Sequence, residues 1–568
     1  MENYRWAIIP SDENLVREFQ SAARISRPSA VALASNGLTL EDLDEFIQPR
    51  LNDLVDPYQL PGTRKAAERI WQAIMHGENI LIHGDYDADG ITASVLLQEI
   101  LLRNGGRAEV FLPHRIEDGY GLTPESVDKA CREHHTLLIT VDCGITSHAA
   151  IQAARQRDID VIVTDHHEPG PTAPDANVVI DPRLPDAPPQ LGGLAGVGVA
   201  FKLCHAFIKF GRENNLGGFE TDLKDVLDLV ALGTVADIVP LLRENRRLVK
   251  AGLSILSRQH RPGVRALCEL ASLNQEIKAP DIAFRLAPRL NAAGRMGDAT
   301  LSLQLLQAGS MQDATPLAKQ LNQENRRRQE YETDTYQEAC EQIRIQGADD
   351  NDFALMVADN NWHQGVLGIV ASRLVRAYYR PCVVLARDIS GMMCGSGRSV
   401  PGVNLVEVLT KCSGLLERYG GHPMAAGLSV EPHDVDKLRK ALNLAVSQTL
   451  TPADMCPQLN ISGETTFREI VRGFLNELDL LRPFGQGNPE PVFYTRGAVP
   501  DKVLPAGRAH TRGQVVDPRG DIIDFISFGV LPEDLPPAPW DIAYRAQINN
   551  YRGRSRPQVQ ILDIRHAN

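Results

Sequence analysis

The chain predicts an α/β protein with a parallel-sheet domain, a long connecting helix, a smaller α/β domain and a C-terminal β-barrel. Three observations carry that prediction. Between residues 79 and 180, five short apolar runs alternate with helical patterns, which signals βαβ units and a mostly parallel sheet. From about 311 to 346 one helical pattern, rich in Gln, Glu and Arg, is polar on most faces, as a helix bridging two domains must be. Beyond about 460 the pattern turns to short alternating runs, at 514–517, 522–529, 541–549 and 557–563, which reads as a small barrel.

Length and composition frame these elements. The 568 residues leave room for about three to five domains. The expected division is a helical segment at 1–62, a main domain at 63–310, the connecting helix at 311–350, a second α/β domain at 351–448 and the barrel at 460–568. Nine cysteines are scattered without a CxxC pair, which speaks against a zinc ribbon or a disulfide framework and for a reducing compartment. No stretch of about 18 apolar residues occurs and the first ten residues lack a signal-type core, so a soluble, cytoplasmic protein is expected, with no membrane span. A net charge of −13 argues against a surface that grips nucleic acid everywhere, and leaves room for a local basic channel.

Residues 1 to about 60 read as short helices and turns without evident chemistry. Residues 63–76 form an amphipathic helix with Ala67, Ile70, Trp71 and Ile74 on one side. Strands are expected at 79–83, 108–112, 137–141, 160–164 and 177–180, with helices at about 91–104, 124–134 and 146–157. Ligands of parallel sheets collect outside the carboxyl ends of the strands. Those ends carry Asp85, Asp87 and Asp89; His114 and Arg115; Asp142; Asp165, His166 and His167; and Asp181. The three carboxylates in HGDYDADG (83–90) would repel one another in a packed interior, and a divalent metal is the simplest counter-charge. An acidic surface turn is the bland rival. A calcium loop would need a glutamate six residues past Gly90, where Leu96 stands. The His166-His167 pair joining the series favours the metal.

Further along, GGLAGVGVAF lacks the third glycine and the preceding strand of a dinucleotide loop, so it reads as the close-packed start of a helix near 194–211. A second helix near 224–234 leads to Asp237, which interrupts the apolar run VALGTVADIVPL and needs either a cation or a capping role. Arg285, Arg289, Asn291 and Arg295 stand among small and apolar residues, where arginines favour an anion such as phosphate. Arg326, Arg327 and Arg328 on the long helix read as a solvated face first and a phosphate contact second. The second α/β domain has strands near 353–357 and 382–386 and a helix at 366–378. Its GSGRS (395–399) and GGHP (420–423) are either plain turns or phosphate nests. The tail holds 13 Lys/Arg against 13 Asp/Glu, and Tyr551 with Arg552, Arg554 and Arg556 forms an arginine-aromatic knot. That composition suits a single-strand nucleic-acid platform or a protein-docking barrel.

DYDADG (85–90), VDCGI (141–145), DHH (165–167), ALGTVADIVPL (231–241), PRLNAAGR (288–295), WHQGVLGIVASRL (362–374), GSGRS (395–399) and GGHPMAAG (420–427) occur in that order. Together they resemble the DHH phosphoesterase superfamily and, within it, the RecJ family of bacterial single-strand DNA exonucleases, from about residue 40 onward. The resemblance implies two ions, Mn²⁺ or Mg²⁺, held by Asp87, Asp89, Asp142, His166 and Asp237, with Asp142 bridging. Asp85 belongs to the same motif as a ligand or just outside the ligand set, and His83 stands where related pyrophosphatases carry a metal-binding histidine. His167 would touch the scissile phosphate or its leaving oxygen, and Arg295 with Asn291 would neutralise phosphate charge. Ser396, Arg398 and His422 would contact the strand, Arg115 and Tyr120 would hold its 5′ end, and the tail would be an OB-fold. The implied activity is 5′→3′ release of 5′-mononucleotides from single-stranded DNA in repair and recombination, with a single-strand-binding protein and a helicase as partners. Two rivals remain: a DHH-type phosphoesterase acting on short oligoribonucleotides, cyclic dinucleotides or pyrophosphate, and a non-catalytic DNA-binding scaffold.

Overall fold

The computed structural model describes residues 4–114, 121–216, 220–273, 276–348, 352–551 and 554–567. Arg115, Tyr120 and Arg552 lie outside the described residues. By internal packing the chain divides into two compact units: Ile8–Asn322 with Ile461–Asn568, and Glu2–Ala7 with Gln323–Asn460.

In the first unit the predicted parallel sheet is present. Its strands are β1 (Asn79–Gly84), β2 (Arg107–Phe111), β3 (Leu137–Val141), β4 (Asp160–Thr164) and β5 (Val178–Ile180), in the order β2-β1-β3-β4-β5 and all parallel. The two-residue period of a strand sorts their side chains. Ile80, Ile82, Leu137, Ile139, Val141 and Ile162 enter one core, and Leu81, Leu138, Val161 and Val163 enter another on the opposite face. Apolar burial on both faces is why these runs are continuously hydrophobic, and each filled position contributes about 1.5–3 kcal/mol.

Helices α1 (Ala88–Arg103), α2 (Gly196–Glu213) and α3 (Leu227–Ala236) fill the first core. Largely apolar, α3 is buried from Leu227 to Val235 and packs against both α1 and α2. Helix α4 (Ala287–Met296) follows a π-helical turn, Ile282–Leu286, and α5 (Met311–Gln346) is the long polar helix the sequence foretells. On α5, Arg326 and Arg327 are exposed, whereas Arg328 is largely covered and sits 3.6 Å from Glu332.

In the second unit a mixed sheet runs β9-β10-β8-β7-β6, with β6 (Leu355–Asp359), β7 (Cys382–Arg387), β8 (Met393–Arg398), β9 (Arg418–His422) and β10 (Ala425–Val430). Helix α6 (Leu367–Tyr378) packs on it. The turn-or-nest expectation for GSGRS and GGHP needs correcting: Gly395 and Gly397 lie within strand β8, and Gly420 and Gly421 within β9. A Cβ on Gly395 would run into the Val384 carbonyl of β7, and one on Gly421 into the Ala425 carbonyl of β10. Close strand approach demands Gly395 and Gly421.

The C-terminal region forms the expected closed barrel: β11 (Phe493–Ala506), β12 (His510–Val516), β13 (Ile522–Phe528), β14 (Trp540–Tyr551) and β15 (Arg554–His566). The strands pair in the order β11-β12-β13-β15-β14, with β14 returning to β11. Val16, Phe19, Leu33 and Phe46 of the N-terminal helices share one core with Phe467, Phe493, Trp540 and Tyr544. Residues from Val16 to Phe46 thus help complete the barrel end of this unit, whereas Leu60 packs into the core of the parallel-sheet domain. The buried Arg246 guanidinium ties the parts together, donating to the carbonyls of Phe46, Leu480, Leu481 and Arg482 at 2.8–3.3 Å and lying over the Phe46 ring.

Candidate metal centre

Strand β1 ends at Gly84 and delivers Asp85; after Tyr86, Asp87 caps α1, its Oδ1 accepting the Asp89 and Gly90 amides at 2.9 and 3.1 Å. Asp89 then points from the first turn of α1 to the start of α2. Its two oxygens accept the Gly196 and Val197 amides at 2.7 and 2.9 Å. The GGLAGVG stretch is thus a close-packed helix start with a purpose. A Cβ on Gly196 would lie 2.5 Å from Asp142 Oδ1, and one on Gly233 of α3 would lie 2.7 Å from Asp89 Oδ1. A Cβ on Gly294 of α4 would meet the Tyr86 carbonyl at 2.6 Å. Three glycines from three helices let the walls of the site close around the acidic loop.

Asp142 leaves the end of β3 with a φ of +62°, a strained conformation for a residue with a side chain, and is 2 % exposed. His166 follows β4. Its Nε2 lies 3.1 Å from Asp142 Oδ1, 3.6 Å from Asp237 Oδ2 and 4.0 Å from Asp89 Oδ2. Asp237 stands at the C-cap of α3, so the capping position and the cation-facing position are one. Three sets of ligand atoms converge to within 4.8 Å: Asp85, Asp87 and Asp142; Asp89, His166 and Asp237; Asp142, His166 and His167. Asp142 and His166 each belong to two sets, so the three form one continuous centre.

Charge in this centre is far from balanced. Burial, with repulsion from Asp89, Asp87, Asp85 and Asp237, holds the Asp142 carboxyl well above its ordinary range. Burial and the same kind of repulsion push Asp237 up to about 9, and Asp89 to about 7 even with its two amide donors. Burial and the neighbouring His167 lower His166 to about 3, leaving a neutral imidazole suited to metal. Asp142 Oδ1 and both ring nitrogens of His166 are buried without a hydrogen-bond partner among the described residues. Buried polar atoms are seldom left so. Five carboxylates and a neutral imidazole make an oxygen-rich donor set that fits two divalent ions of the Mn²⁺ or Mg²⁺ type.

Asp165, the first residue of DHH, has a different task. Its oxygens accept the amides of Ile145, His166 and His167 at 2.7–3.1 Å, and its Oδ1 lies 2.7 Å from His167 Nδ1. Burial works against a charged His167, yet the bond to Asp165 and the nearby carboxylates raise it to about 9, so it stands as an imidazolium. Sequence reasoning sets Asp165 at a strand end and gives it no role, because residue type alone does not say which way a carboxylate turns. His83 is fully buried with Nε2 3.2 Å from Ser126 Oγ and Nδ1 3.7 Å from Cys143 Sγ, and it joins none of the converging sets among the described residues.

Of the α4 candidates, Asn291 Oδ1 accepts the Ala88 amide at 2.7 Å and so fixes the acidic loop. Arg289 reaches Asn322 and the Arg285 carbonyl, and Arg285 reaches Asp281 and the Ala271 carbonyl; these two have protein partners where anions were expected. Arg295 occupies the last turn of α4, next to the Gly294–Tyr86 contact. In the second unit, Arg398 Nη1 donates to Ser396 Oγ at 2.7 Å. Both lie at the N-terminus of α6, where a Cβ on Gly368 would stand 2.8 Å from Arg398 Nη2. Ser, Arg and a helix N-terminus together favour an anion. His422 is exposed on β9, and Arg556 is exposed on the last barrel strand.

Fold and acidic centre together define the DHH class. The model of the DHH family N-terminal domain matches residues 79–234, that of the DHHA1 domain 350–448 and that of the RecJ OB domain 461–563. The chain belongs to the RecJ family. It is 36 % identical to the single-stranded-DNA-specific exonuclease RecJ of Bacillus subtilis, over 98 % of this chain and 70 % of that protein. To the protein of the same name from Escherichia coli it is 38 % identical, over 89 % of this chain and 90 % of that one. The crystal structure of RecJ from Thermus thermophilus in complex with Mn²⁺ superposes with a TM-score of 0.85 at 30 % identity, covering all of this chain and 80 % of that one. A Mg²⁺ complex of that enzyme gives 0.80 at 29 % identity over 79 % of that chain.

Proposed function

We propose that the protein is a single-stranded-DNA-specific exonuclease that releases 5′-mononucleotides in the 5′→3′ direction in DNA repair and recombination. The observation that carries this reading is that, among the described residues, Asp142 Oδ1 and both ring nitrogens of His166 are buried without a hydrogen-bond partner amid repelling carboxylates. Such a set is unstable alone and becomes stable around divalent cations. Asp85, Asp87, Asp89, Asp142, His166 and Asp237 would hold two ions of Mn²⁺ or Mg²⁺. When bound, the ions supply Lewis-acid charge for the phosphodiester and a more acidic water as nucleophile.

The remaining roles belong to the chain. His167, held as an imidazolium by Asp165, presents a proton to the phosphate or its departing oxygen. Arg295 adds fixed positive charge where the transition state gains negative charge. Asn291 acts through the acidic loop by fixing the Ala88 amide. Ser396, Arg398 and His422 contact the strand's phosphates, Arg115 and Tyr120 the 5′ end, and the barrel the strand beyond. The direction of cleavage and the supply of substrate by a single-strand-binding protein and a helicase rest on the family resemblance. A cytoplasmic location accords with nine free cysteines and with the absence, among the described residues, of any helix long and apolar enough to cross a membrane.

Incubation with Mn²⁺ and end-labelled substrates tests the reading. Mononucleotides should appear from a 5′-end of single-stranded DNA, with little product from a blunt duplex. Faster hydrolysis of a dinucleotide or cyclic dinucleotide than of the oligonucleotide would replace this reading with that of a small-substrate phosphoesterase.

A further inference from the structure

Beside the metal centre, in the first unit, lies a groove of about 280 Å³ whose lining contains no charged side chain. Val235, Ile238, Pro280, Ala283, Phe284 and Phe484 are among its lining residues. Phe284 is 79 % exposed and Ile238 71 %. A folded surface seldom leaves two large apolar side chains open around one groove unless something covers them.

Both exposures are built in. Phe284 sits in the π-helical turn Ile282–Leu286, whose end residues are buried, so the widened turn carries it outward. Ile238 holds a φ of +61°, a backbone conformation that a β-branched residue adopts only under constraint. The constraint is visible just downstream. The Leu241 amide donates to the Gln486 carbonyl at 2.8 Å, and Asn245 Nδ2 donates to the Pro240 carbonyl at 2.9 Å.

Ile238 directly follows Asp237, so the groove begins where the metal centre ends. We infer that it is a stacking platform for a nucleobase of the strand whose phosphate lies at the centre, with Phe284 as its flat face and Ile238 at its edge. The inference rests on the proposed exonuclease reading and adds the side chains that receive a base. A lining without charge does not suit a backbone phosphate or a charged peptide; it suits an uncharged planar ring. Because every base has such a face, stacking here adds affinity without sequence preference, as a stepwise nuclease requires.

The test uses the full chain with Mn²⁺, the substitutions Phe284→Ala and Ile238→Gly, and 5′-labelled oligonucleotides carrying one abasic site at each of the first four positions. Phe284 is too exposed for its loss to unfold the chain, and glycine at 238 relieves the positive φ. Phe284→Ala is expected to raise KM on normal single strands about tenfold, and Ile238→Gly to raise it less. For the wild type, an abasic site at one position should raise KM to a similar extent, and on that substrate Phe284→Ala should add nothing further. A KM within twofold of wild type overturns the inference, and is what a groove for an apolar segment of a protein partner would give. A penalty equally large at all four abasic positions overturns it too. Wild-type protein that releases no mononucleotide defeats the exonuclease reading and this inference with it. Active wild type beside a silent Phe284→Ala defeats the inference alone.

Discussion

Helices α1 and α3 carry carboxylates at both ends, and the two ends are treated in opposite ways. At one end Arg261 donates to Asp228 and to Glu99, each at 2.9 Å, and Arg103 reaches Glu99 as well. At the other, Asp89 and Asp237 gather with Asp142 around His166, and among the described residues none of these three acids forms an ion pair with a lysine or arginine. One end is closed electrostatically by the chain itself and the other waits for charge from outside. The contrast teaches that buried acids are not in themselves a sign of chemistry: an acid counts as a site only where the fold withholds its partner.

Substitutions of the same kind should therefore act differently at the two ends. The largest effect falls on the open end, where Asp142→Ala should cut nuclease turnover by at least about a thousandfold with an unchanged circular dichroism spectrum. Turnover within tenfold of wild type would remove Asp142 from the centre. At the closed end, Asp228→Ala leaves the Arg261 guanidinium buried beside a gap, and denaturant unfolding should show a loss of about 3–5 kcal/mol. Next comes Asp165→Asn, which removes the negative charge beside His167. Turnover should fall about a hundredfold, and the alkaline limb of the pH–rate profile should move to lower pH as the imidazolium loses its support. An unmoved limb would mean that Asp165 only holds the backbone.

The smallest effect reverses the sign seen at the closed end. A carboxyl whose folded pKa is raised gives stability below its unfolded value near 4 and loses it as the pH climbs toward the folded value. At pH 7 Asp142 therefore costs the metal-free protein stability. Asp142→Asn should raise the unfolding midpoint of the metal-free protein, while abolishing the stabilisation that Mn²⁺ gives to wild type. A variant less stable than wild type without metal would show that Asp142 has a protein partner after all.

Much of the site was legible because strand ends are legible. Apolar runs closed by Asp85, Asp142 and His166 place those residues at one edge of a parallel sheet whatever the details. Asp237 could be suspected as a lone acid in an apolar helix. Direction was not legible. Asp165 has the same neighbours in sequence as a metal ligand would, yet it turns to three backbone amides, and Asn291 turns to the Ala88 amide rather than outward. His83 follows the ligand pattern but faces Ser126 and Cys143. The glycines of GSGRS read as a turn or a nest and stand in a strand, since a missing Cβ serves all three uses. The shared core of Phe19 and Phe46 with Phe467 and Trp540 joins positions more than 400 apart, which no local period reveals.

Calorimetric titration of the metal-free protein with Mn²⁺, in buffers of different ionisation enthalpy from pH 6 to 9, tests the central claim most directly. The claim is that the open end is a two-ion site. Two ions should bind per chain, with protons released because Asp89 and Asp237 begin near 7 and 9, and affinity should rise with pH across that window. Asp142→Ala should lose both ions or retain one weakly. A single pH-independent binding event left intact by Asp142→Ala would contradict the account.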